Sequence, residues 1–411
     1  KLKKIFYLII LLIFSISFNQ YYGYRGVIPL DSFLIFNSGY DVLNGYFPFK
    51  DYWTVTGPLL DVIQAFIFKL FNVSWFSHVL HASIFNFIIA FTTFYTLSKF
   101  ELNNNYCFFY SLLVSSLAYP ISGTPTPDHH SLILSLVGLF IFILALKTKS
   151  KFYWFFLPII LGFAFLSKQT PAAYISLIIG LLSIIHLLYI SDIKIFFLLC
   201  LSTLIFISFF ILILLINEIS LISFFEQYIL FPLSIGERRL DLLLPLEFKR
   251  VFLRFKLIYL SLLLLIVVII KKTIEDHKYV KKEEFLIIIS LIAVAFVTII
   301  HQLMTIHAKY IFFIIPILTG FSHIYFKKYF DQNKYILPLL IFFVFSSTIY
   351  YQYNYNDNRR FNNLDKINLE KAIDAKIIDK KLNKLKWITS YYPYDPKKET
   401  FKLKIVPPVC Q

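Results

Sequence analysis

Residues 195–216 read IFFLLCLSTLIFISFFILILLI, an unbroken apolar run with no charged side chain. A helix needs about 20 such residues to cross the hydrocarbon core of a bilayer. The rest of the chain shares this character, because 58% of its 411 residues are hydrophobic and only 16% are charged. Soluble domains contain roughly 25% charged residues. The composition therefore predicts an all-α polytopic membrane protein.

Further apolar runs lie on both sides of this stretch, and together they predict about eleven transmembrane helices. The run at 5–21 follows Lys1, Lys3 and Lys4 but is not followed by a small-residue cleavage site, so we expect an uncleaved span rather than a signal peptide. The predicted spans lie near 5–21, 75–98, 106–122, 130–146, 152–167, 171–190, 195–216, 257–270, 285–300, 310–326 and 335–351.

Lysines mark one set of connections between these spans. If the spans alternate in direction, the lysine-rich connections all fall on one side, which the positive-inside rule assigns to the cytoplasm. The N-terminus is then cytoplasmic, and the longer polar loops face outward. The net charge of +16 is therefore interpreted as an orientation signal, and nucleic acid is not an expected partner.

The chain is predicted to consist of a transmembrane domain, residues 1–351, and a small outer-face segment, residues 352–411. The domain includes a first outer loop at 22–74. Within this loop, residues 57–72 have apolar side chains at helical spacing opposite Asp61, Gln64 and Lys69, which is typical of a helix in the membrane interface. A second amphipathic helix is expected in the tail, near 365–388.

The first outer loop also contains a polar island in otherwise apolar sequence. Asp31 opens it, and Lys50 and Asp51 follow within the run Gly-Tyr-Phe-Pro-Phe-Lys-Asp-Tyr-Trp. Carboxylates beside a cation at a membrane surface suggest a site for chemistry, because a carboxylate near lipid gains basicity and can remove a proton from an attacking group.

A second polar island contains Asp128, His129 and His130, just before the predicted fourth span. Two interpretations are open. Carboxylate and imidazole both bind divalent ions, so Asp128 and His129 are candidate metal ligands. The same residues also suit a helix entry, where a carboxylate is favoured near the N-terminus.

Several cations interrupt apolar sequence on the outer side. Lys168 stands between two predicted spans, and Lys309 with Tyr310 stands at the entry to a later one. Arg238 and Arg239 lie in the outer loop at 217–256. Such cations face either an anion or the headgroup region. His78 and His81, three residues apart on one helix face, are interpreted as packed, hydrogen-bonded histidines.

The pattern of Asp31, residues 44–53 and Gly57-Pro58-Leu59 resembles the first outer loop of the GT-C superfamily of glycosyltransferases. The most similar group contains protein O-mannosyltransferases and the lipid A aminoarabinose transferase. These enzymes take a sugar from a polyprenyl-phosphate carrier on the outer side of the membrane. By position, Asp31 and Asp128 look like the acidic residues of their first two outer loops.

The resemblance implies an inverting transfer of sugar to a lipid, glycan or protein acceptor, in a bacterial inner membrane. Asp31 would be the base, with Asp128 and Asp51 as further catalytic candidates. A divalent metal is a candidate cofactor. The residues expected to bind substrate or phosphate are Lys168, Lys309, Tyr310, Lys50, Arg238, Arg239, His129 and His130.

Two other functions remain as alternatives. A transporter or flippase would carry charged residues near the middle of the membrane and broken helices in paired halves. A polysaccharide-assembly protein without turnover would use the polar islands only as binding surfaces. The sequence contains neither a Walker loop nor a GxGxxG motif, so it offers no recognisable site for nucleotide chemistry.

Overall fold

The structure is a computed structural model. It describes residues 2–25, 31–119, 123–190, 192–240, 247–305, 311–330, 335–359, 373–374, 376 and 386–387. These residues form mostly α-helices. In chain order the helices are α1 (Leu2–Gly23), α2 (Asp31–Leu43), α3 (Pro58–Phe71), α4 (Trp75–Lys99), α5 (Asn104–Ala118), α6 (Pro127–Thr148), α7 (Lys151–Ser167), α8 (Gln169–Ile190), α9 (Ile193–Ile216), α10 (Leu221–Phe224), α11 (Phe231–Leu240), α12 (Lys256–Glu275), α13 (Glu283–Thr305), α14 (Ile314–Tyr329) and α15 (Ile336–Arg359).

Eight of the described helices are long and apolar enough to cross a membrane: α1, α4, α6, α8, α9, α12, α13 and α15. The protein is therefore a helical, integral membrane protein. The other predicted spans coincide with the shorter helices α5, α7 and α14. Two short π-helical segments, Phe225–Leu230 and Lys249–Leu253, lie between α10 and α12.

The apolar surface of α9 shows how the bundle meets lipid. Leu204 is 62% exposed and Phe197 is 64% exposed, and most of the helix is similarly uncovered. A helix that is apolar on all sides and largely uncovered requires a non-aqueous environment, since hydrocarbon exposed to water is costly. This helix therefore faces the bilayer.

Helix α6 is the central element of the bundle. It packs against α4, α7, α8 and α13, and nearly all of its side chains are buried, including Phe140, Phe142 and Ile143. Because α6 is surrounded by other helices, its N-terminal residues lie where several connections meet, and this position determines where the candidate site forms.

Buried amides and hydroxyls hold α1, α4 and α5 together. Asn86 Nδ2 donates to Asn19 Oδ1 at 3.2 Å and to Ser115 O at 3.0 Å. Ser15 and Ser115 share a hydrogen bond of 2.8 Å between their hydroxyls. In a membrane, where apolar contact gives little preference for protein over lipid, such bonds contribute to helix association.

The polar face of α3 differs from the prediction of a simple interfacial helix. Asp61 and Gln64 are fully buried, whereas Val62, Phe66 and Leu70 are exposed. The helix itself, Pro58–Phe71, is formed as predicted. Asp61 and Gln64 have hydrogen-bond partners on α2 and α4, so this part of the polar face turns toward the protein and an apolar stripe turns outward.

The prediction of a helix near 365–388 is wrong for the strand residues that the structure describes in this range. Ile373–Asp374 and Lys386–Trp387 instead form two short antiparallel strands, β1 and β2, with Ile373 opposite Trp387. The other residues of that prediction lie outside the described part of the chain. The apolar positions that suggested a helix are compatible with a strand because short apolar runs fit both structures.

Gly57 joins the first outer loop to the turn between α7 and α8. Its N–H donates to Ser167 O at 3.2 Å, and a Cβ at this position would lie 1.8 Å from the Leu166 carbonyl oxygen. Only glycine permits this approach, because the obstructing atom belongs to the backbone and cannot rotate away.

We expect Gly57→Ala to destabilise the solubilised protein by about 1–3 kcal/mol, as overpacking does elsewhere. Gly180→Ala in α8 is the matched control, since a Cβ there meets nothing within 4 Å. Thermal unfolding followed by size-exclusion chromatography should show a lower midpoint for the first variant only. Equal midpoints for the two variants would contradict the close approach.

Candidate functional site

The candidate site begins at the first turn of α6. Asp128 is the second residue of this helix, after Pro127 at its first position and Thr126 before it. Unpaired backbone N–H groups at a helix N-terminus favour a negative charge, and proline suits the first position. The predicted helix entry at Asp128 is confirmed.

Two positively polarised side chains flank the Asp128 carboxylate. Lys168 Nζ lies 2.6 Å from Oδ2, and His301 Nε2 lies 3.3 Å from Oδ1. The exposed fraction of the side chain is 15% for Asp128, 21% for Lys168 and 4% for His301. These three residues, here called the Asp128 cluster, form an ion-paired group that is mostly buried but still open on one side.

The three members come from distant parts of the chain. Lys168 stands in extended conformation between α7 and α8, and Ser131 Oγ of α6 donates to its carbonyl oxygen at 3.0 Å. His301 lies one turn before the end of α13. His301 was not among the predicted site residues, and its only signal in the sequence is a histidine near the end of an apolar run.

The first outer loop contacts the segments next to Asp128 and Lys168 at two places. At the first, Thr124 Oγ1 lies 3.3 Å from Ser32 Oγ, and His78 Nε2 lies 2.8 Å from the Ser32 carbonyl oxygen. Asp31 immediately precedes Ser32 and is the first residue of α2. The start of α2 therefore lies beside the segment that leads into Asp128, although the Asp31 side chain is outside the described part of the structure.

The second place is the turn that carries Lys168. Besides the bond from Gly57 to Ser167, Gln169 Nε2 donates to Val55 O at 3.0 Å and to Tyr228 O at 2.6 Å. The glutamine thus joins the first loop, the α7–α8 turn and the segment after α10. These contacts fix the position of the Lys168 backbone relative to the first loop.

Lys50 and Asp51 have other partners. Lys50 Nζ pairs with Glu218 Oε2 at 3.1 Å, just after α9. Asp51 Oδ2 accepts a hydrogen bond of 2.7 Å from Phe47 N and so closes its own turn. Among the described residues, the hydrogen bonds and ion pairs of Lys50 and Asp51 do not join them to the Asp128 cluster.

The neighbouring histidines are packed in the protein interior. His129 stacks on Tyr119 with ring centroids 4.6 Å apart. His130 Nδ1 lies 3.1 Å from both Tyr119 Oη and the Thr126 carbonyl oxygen. The Nδ1 atoms of His78 and His81 both lie within 3.0 Å of the Gln64 side-chain amide, so these two are packed, hydrogen-bonded histidines.

The remaining predicted cations are only partly described. Lys309 and Tyr310 lie outside the described residues, as do the side chains of Arg238 and Arg239 on α11. The structure does place another arginine of the same loop near the site: Arg250 Nη2 donates to Leu303 O at 2.7 Å, two residues beyond His301.

The described residues do not form a metal site around Asp128. Both carboxylate oxygens already have partners in Lys168 and His301, and the rings of His129 and His130 are engaged with Tyr119. Within the described ranges, no three His, Cys, Asp or Glu side chains converge in a way that could hold a metal ion.

A buried acid that was not among the predicted site residues lies on α3. Asp61 accepts hydrogen bonds from Ser38 Oγ at 2.6 Å and from Tyr52 Oη at 2.9 Å. Burial raises the pKa of the Asp61 carboxyl to about 7, and these two bonds counteract part of the rise. Burial and the adjacent carboxylate raise the pKa of Tyr52 above its usual range.

Comparison with known proteins adds no assignment. No protein-family model matches the chain. No curated protein matches it in sequence.

The interaction between Asp128 and Lys168 can be tested by mutating the two residues singly and together. Removing one partner of a buried ion pair costs roughly 3 kcal/mol because the other charge is left without compensation, whereas removing both is often nearly neutral. We expect D128N and K168M each to lower the unfolding midpoint, and the double variant to recover most of the loss in a double-mutant cycle.

The control for this cycle is the exposed Lys50–Glu218 pair, for which K50M and E218Q should change stability by only about 0–1 kcal/mol. Strictly additive losses for D128N and K168M would mean that the two side chains do not interact.

Asp61 predicts a pH dependence of stability. The folded pKa of about 7 lies above the reference value of 3.8, so the folded state binds this proton more tightly than the unfolded state. The contribution of Asp61 is therefore full below about pH 4 and declines as the pH rises through 7, by on the order of 4 kcal/mol. In D61N, the unfolding midpoint should change less between pH 4.5 and 7.5 than it does in the wild-type protein. If the midpoints of the two proteins change in parallel with pH, the raised pKa of Asp61 is contradicted.

Proposed function

We propose that this protein is a membrane glycosyltransferase that moves a sugar from a polyprenyl-phosphate donor to an acceptor at the outer face of the membrane. The observation that carries the proposal is the Asp128 cluster, in which a carboxylate at the N-terminal end of a membrane-embedded helix holds the Lys168 cation and also contacts the His301 imidazole. The start of α2, whose first residue is Asp31, lies beside the segment that leads into Asp128, because Ser32 contacts Thr124.

Lys168 is suited to the leaving group. When the bond between the anomeric carbon and the phosphate oxygen breaks, the electron pair stays on that oxygen and the polyprenyl phosphate gains negative charge. A cation fixed in advance in a partly dehydrated site stabilises such developing charge. The Lys168 ammonium is fixed by Asp128, and its backbone is held by Ser131 and by the contacts of Gln169.

Asp31 is the proposed base. It would take the proton from the acceptor hydroxyl or amine as the acceptor atom bonds to the anomeric carbon. Attack on the side opposite the phosphate inverts the configuration at that carbon. Its place at the start of α2 supports this role, because the next residue, Ser32, contacts Thr124 in the segment that leads into Asp128.

Asp128 has a different role in this proposal. Its two oxygens interact with Lys168 and His301, and donors that stabilise the carboxylate make it a weak proton acceptor. It therefore positions Lys168 rather than acting as the base. His301 is the partner of the second carboxylate oxygen of Asp128, and it limits the directions in which the carboxylate can turn.

The outer surface of α2 and α3 supports a lipid-linked donor. Phe33 and Leu34 near the start of α2, with Phe66 and Leu70 on α3, are exposed. These apolar side chains offer a surface for an isoprenoid chain on the loop that reaches the Asp128 cluster. The acceptor in this proposal is a lipid, a glycan or a protein.

The proposed topology has eleven spans, made of the eight long helices together with α5, α7 and α14, while α2 and α3 are interfacial helices. The N-terminus is cytoplasmic, because this places the lysine-bearing helix ends inside and the Asp128 cluster outside. The proposed location is a bacterial inner membrane.

The test is a transfer assay with the full chain in proteoliposomes, using polyprenyl phosphate that carries labelled mannose or aminoarabinose. We expect D31N to lose at least about 100-fold in rate, the usual contribution of general base catalysis. D192N is the matched control, because Asp192 caps α9 and asparagine is an equally good cap.

Retained transfer in folded D31N would remove Asp31 from its role. Movement of an intact labelled lipid across the bilayer without sugar release would instead favour a flippase, and binding of donor without either process would favour an assembly protein.

A further inference from the structure

A cavity of about 550 Å³ lies at the opposite end of the bundle from the Asp128 cluster. It is lined by the residues that follow α4, by those at the ends of α6 and α14, and by those that begin α13. Ligand sites in proteins occupy about 300–1,000 Å³. The cavity therefore has the size of a binding site, and none of its lining residues takes part in the proposed transfer.

The walls of this cavity, here called the lysine cavity, carry four lysines and three glutamates. Two of the lysines have acidic partners: Lys149 lies 3.5 Å from Glu283, and Lys328 is paired with Glu284. Glu284 also accepts a hydrogen bond from Tyr279 at 3.0 Å. In each pair the lysine neutralises the glutamate, so the two pairs add little negative charge that would repel an anion.

The other two lysines are available to a ligand. Among the described residues, Lys147 and Lys327 form no ion pair, and Lys147 Nζ lies over the Phe100 ring at 5.2 Å. Both lysines are exposed and line the same cavity. Glu101 is the one lining carboxylate outside the two wall pairs, so the free charge in the cavity is two cations and one anion.

A neutral donor lies deeper in the same cavity. Tyr325 lines it and is only 2% exposed, yet its hydroxyl has no hydrogen-bond partner among the described residues. A buried hydroxyl without a partner costs free energy, so it indicates a group that is present when the site is filled. Leu146, Ile287 and Ile324 supply the apolar part of the lining.

We propose that the lysine cavity binds a phosphate group attached to a glycerol-like body, with Lys147 and Lys327 contacting the phosphate and Tyr325 donating a hydrogen bond. The cavity lies where membrane-crossing helices end, which is the depth of lipid headgroups. Basic pockets between helix ends on the cytoplasmic side are suited to anionic headgroups. Glu101 would accept a hydrogen bond from a headgroup hydroxyl.

The test measures the shift in unfolding midpoint of the detergent-solubilised full chain with phosphatidylglycerol, with phosphatidylcholine and with free glycerol phosphate. We expect phosphatidylglycerol to raise the midpoint and the double variant K147Q/K327Q to bind it roughly tenfold more weakly. The charge-matched control is K151Q/K278Q, because both lysines lie near the same end of the bundle but outside the cavity lining.

A shift that depends on Lys147 and Lys327 with phosphatidylglycerol alone identifies a lipid ligand, and the same dependence with glycerol phosphate identifies a soluble one. If the two double variants lose ligand binding equally, the proposal is overturned, since binding would then depend only on the general positive charge of this face.

Y325F provides a second variant in case the lysine double variant does not fold. Removing a hydroxyl without a partner should leave the stability unchanged or higher, while binding weakens several-fold. Unchanged binding in folded Y325F and in the lysine double variant would also overturn the proposal.

Discussion

A polar group surrounded by hydrocarbon must find its partner within the protein, and this constraint governs the arrangement of the bundle. Asp128 has Lys168 and His301 as partners, and Asp61 has Ser38 and Tyr52. Asn86 of α4 donates a hydrogen bond to Asn19 of α1. Each of these contacts fixes two elements relative to one another, so polar pairing supplies the specificity that apolar contact with lipid-like side chains cannot.

The central helix α6 separates two polar regions of different character. Asp128 lies in its first turn and Lys147 in its last turn, and at 1.5 Å per residue these positions are about 30 Å apart. At the Asp128 end, the described Lys168 cation is held by a carboxylate. At the lysine end, two of the four cavity lysines are free of carboxylates within the described residues. The first arrangement suits a fixed electrostatic contact in a reaction, and the second suits reversible binding of an anion.

Sequence patterns predicted the positions of the helices well. Each of the predicted spans overlaps a helix among the described residues, because an apolar run of this length has few alternatives to an α-helix in a membrane. Asp128 at a helix entry also followed from local rules. The tail was predicted less well, since the strand pair Ile373–Asp374 and Lys386–Trp387 depends on contacts between segments that no local pattern records.

The sequence by itself determined that this is a membrane protein, where its helices run, and that its lysines gather in one set of connections, because these properties depend on composition and order along the chain. Only the tertiary structure decided that His301 meets Asp128, that Asp61 and Gln64 turn inward, and that the α7–α8 turn lies against the first loop. Those facts depend on which helix faces pack together. A periodic pattern gives the face of a helix but not its neighbour, and the neighbour decides which polar side chains are paired.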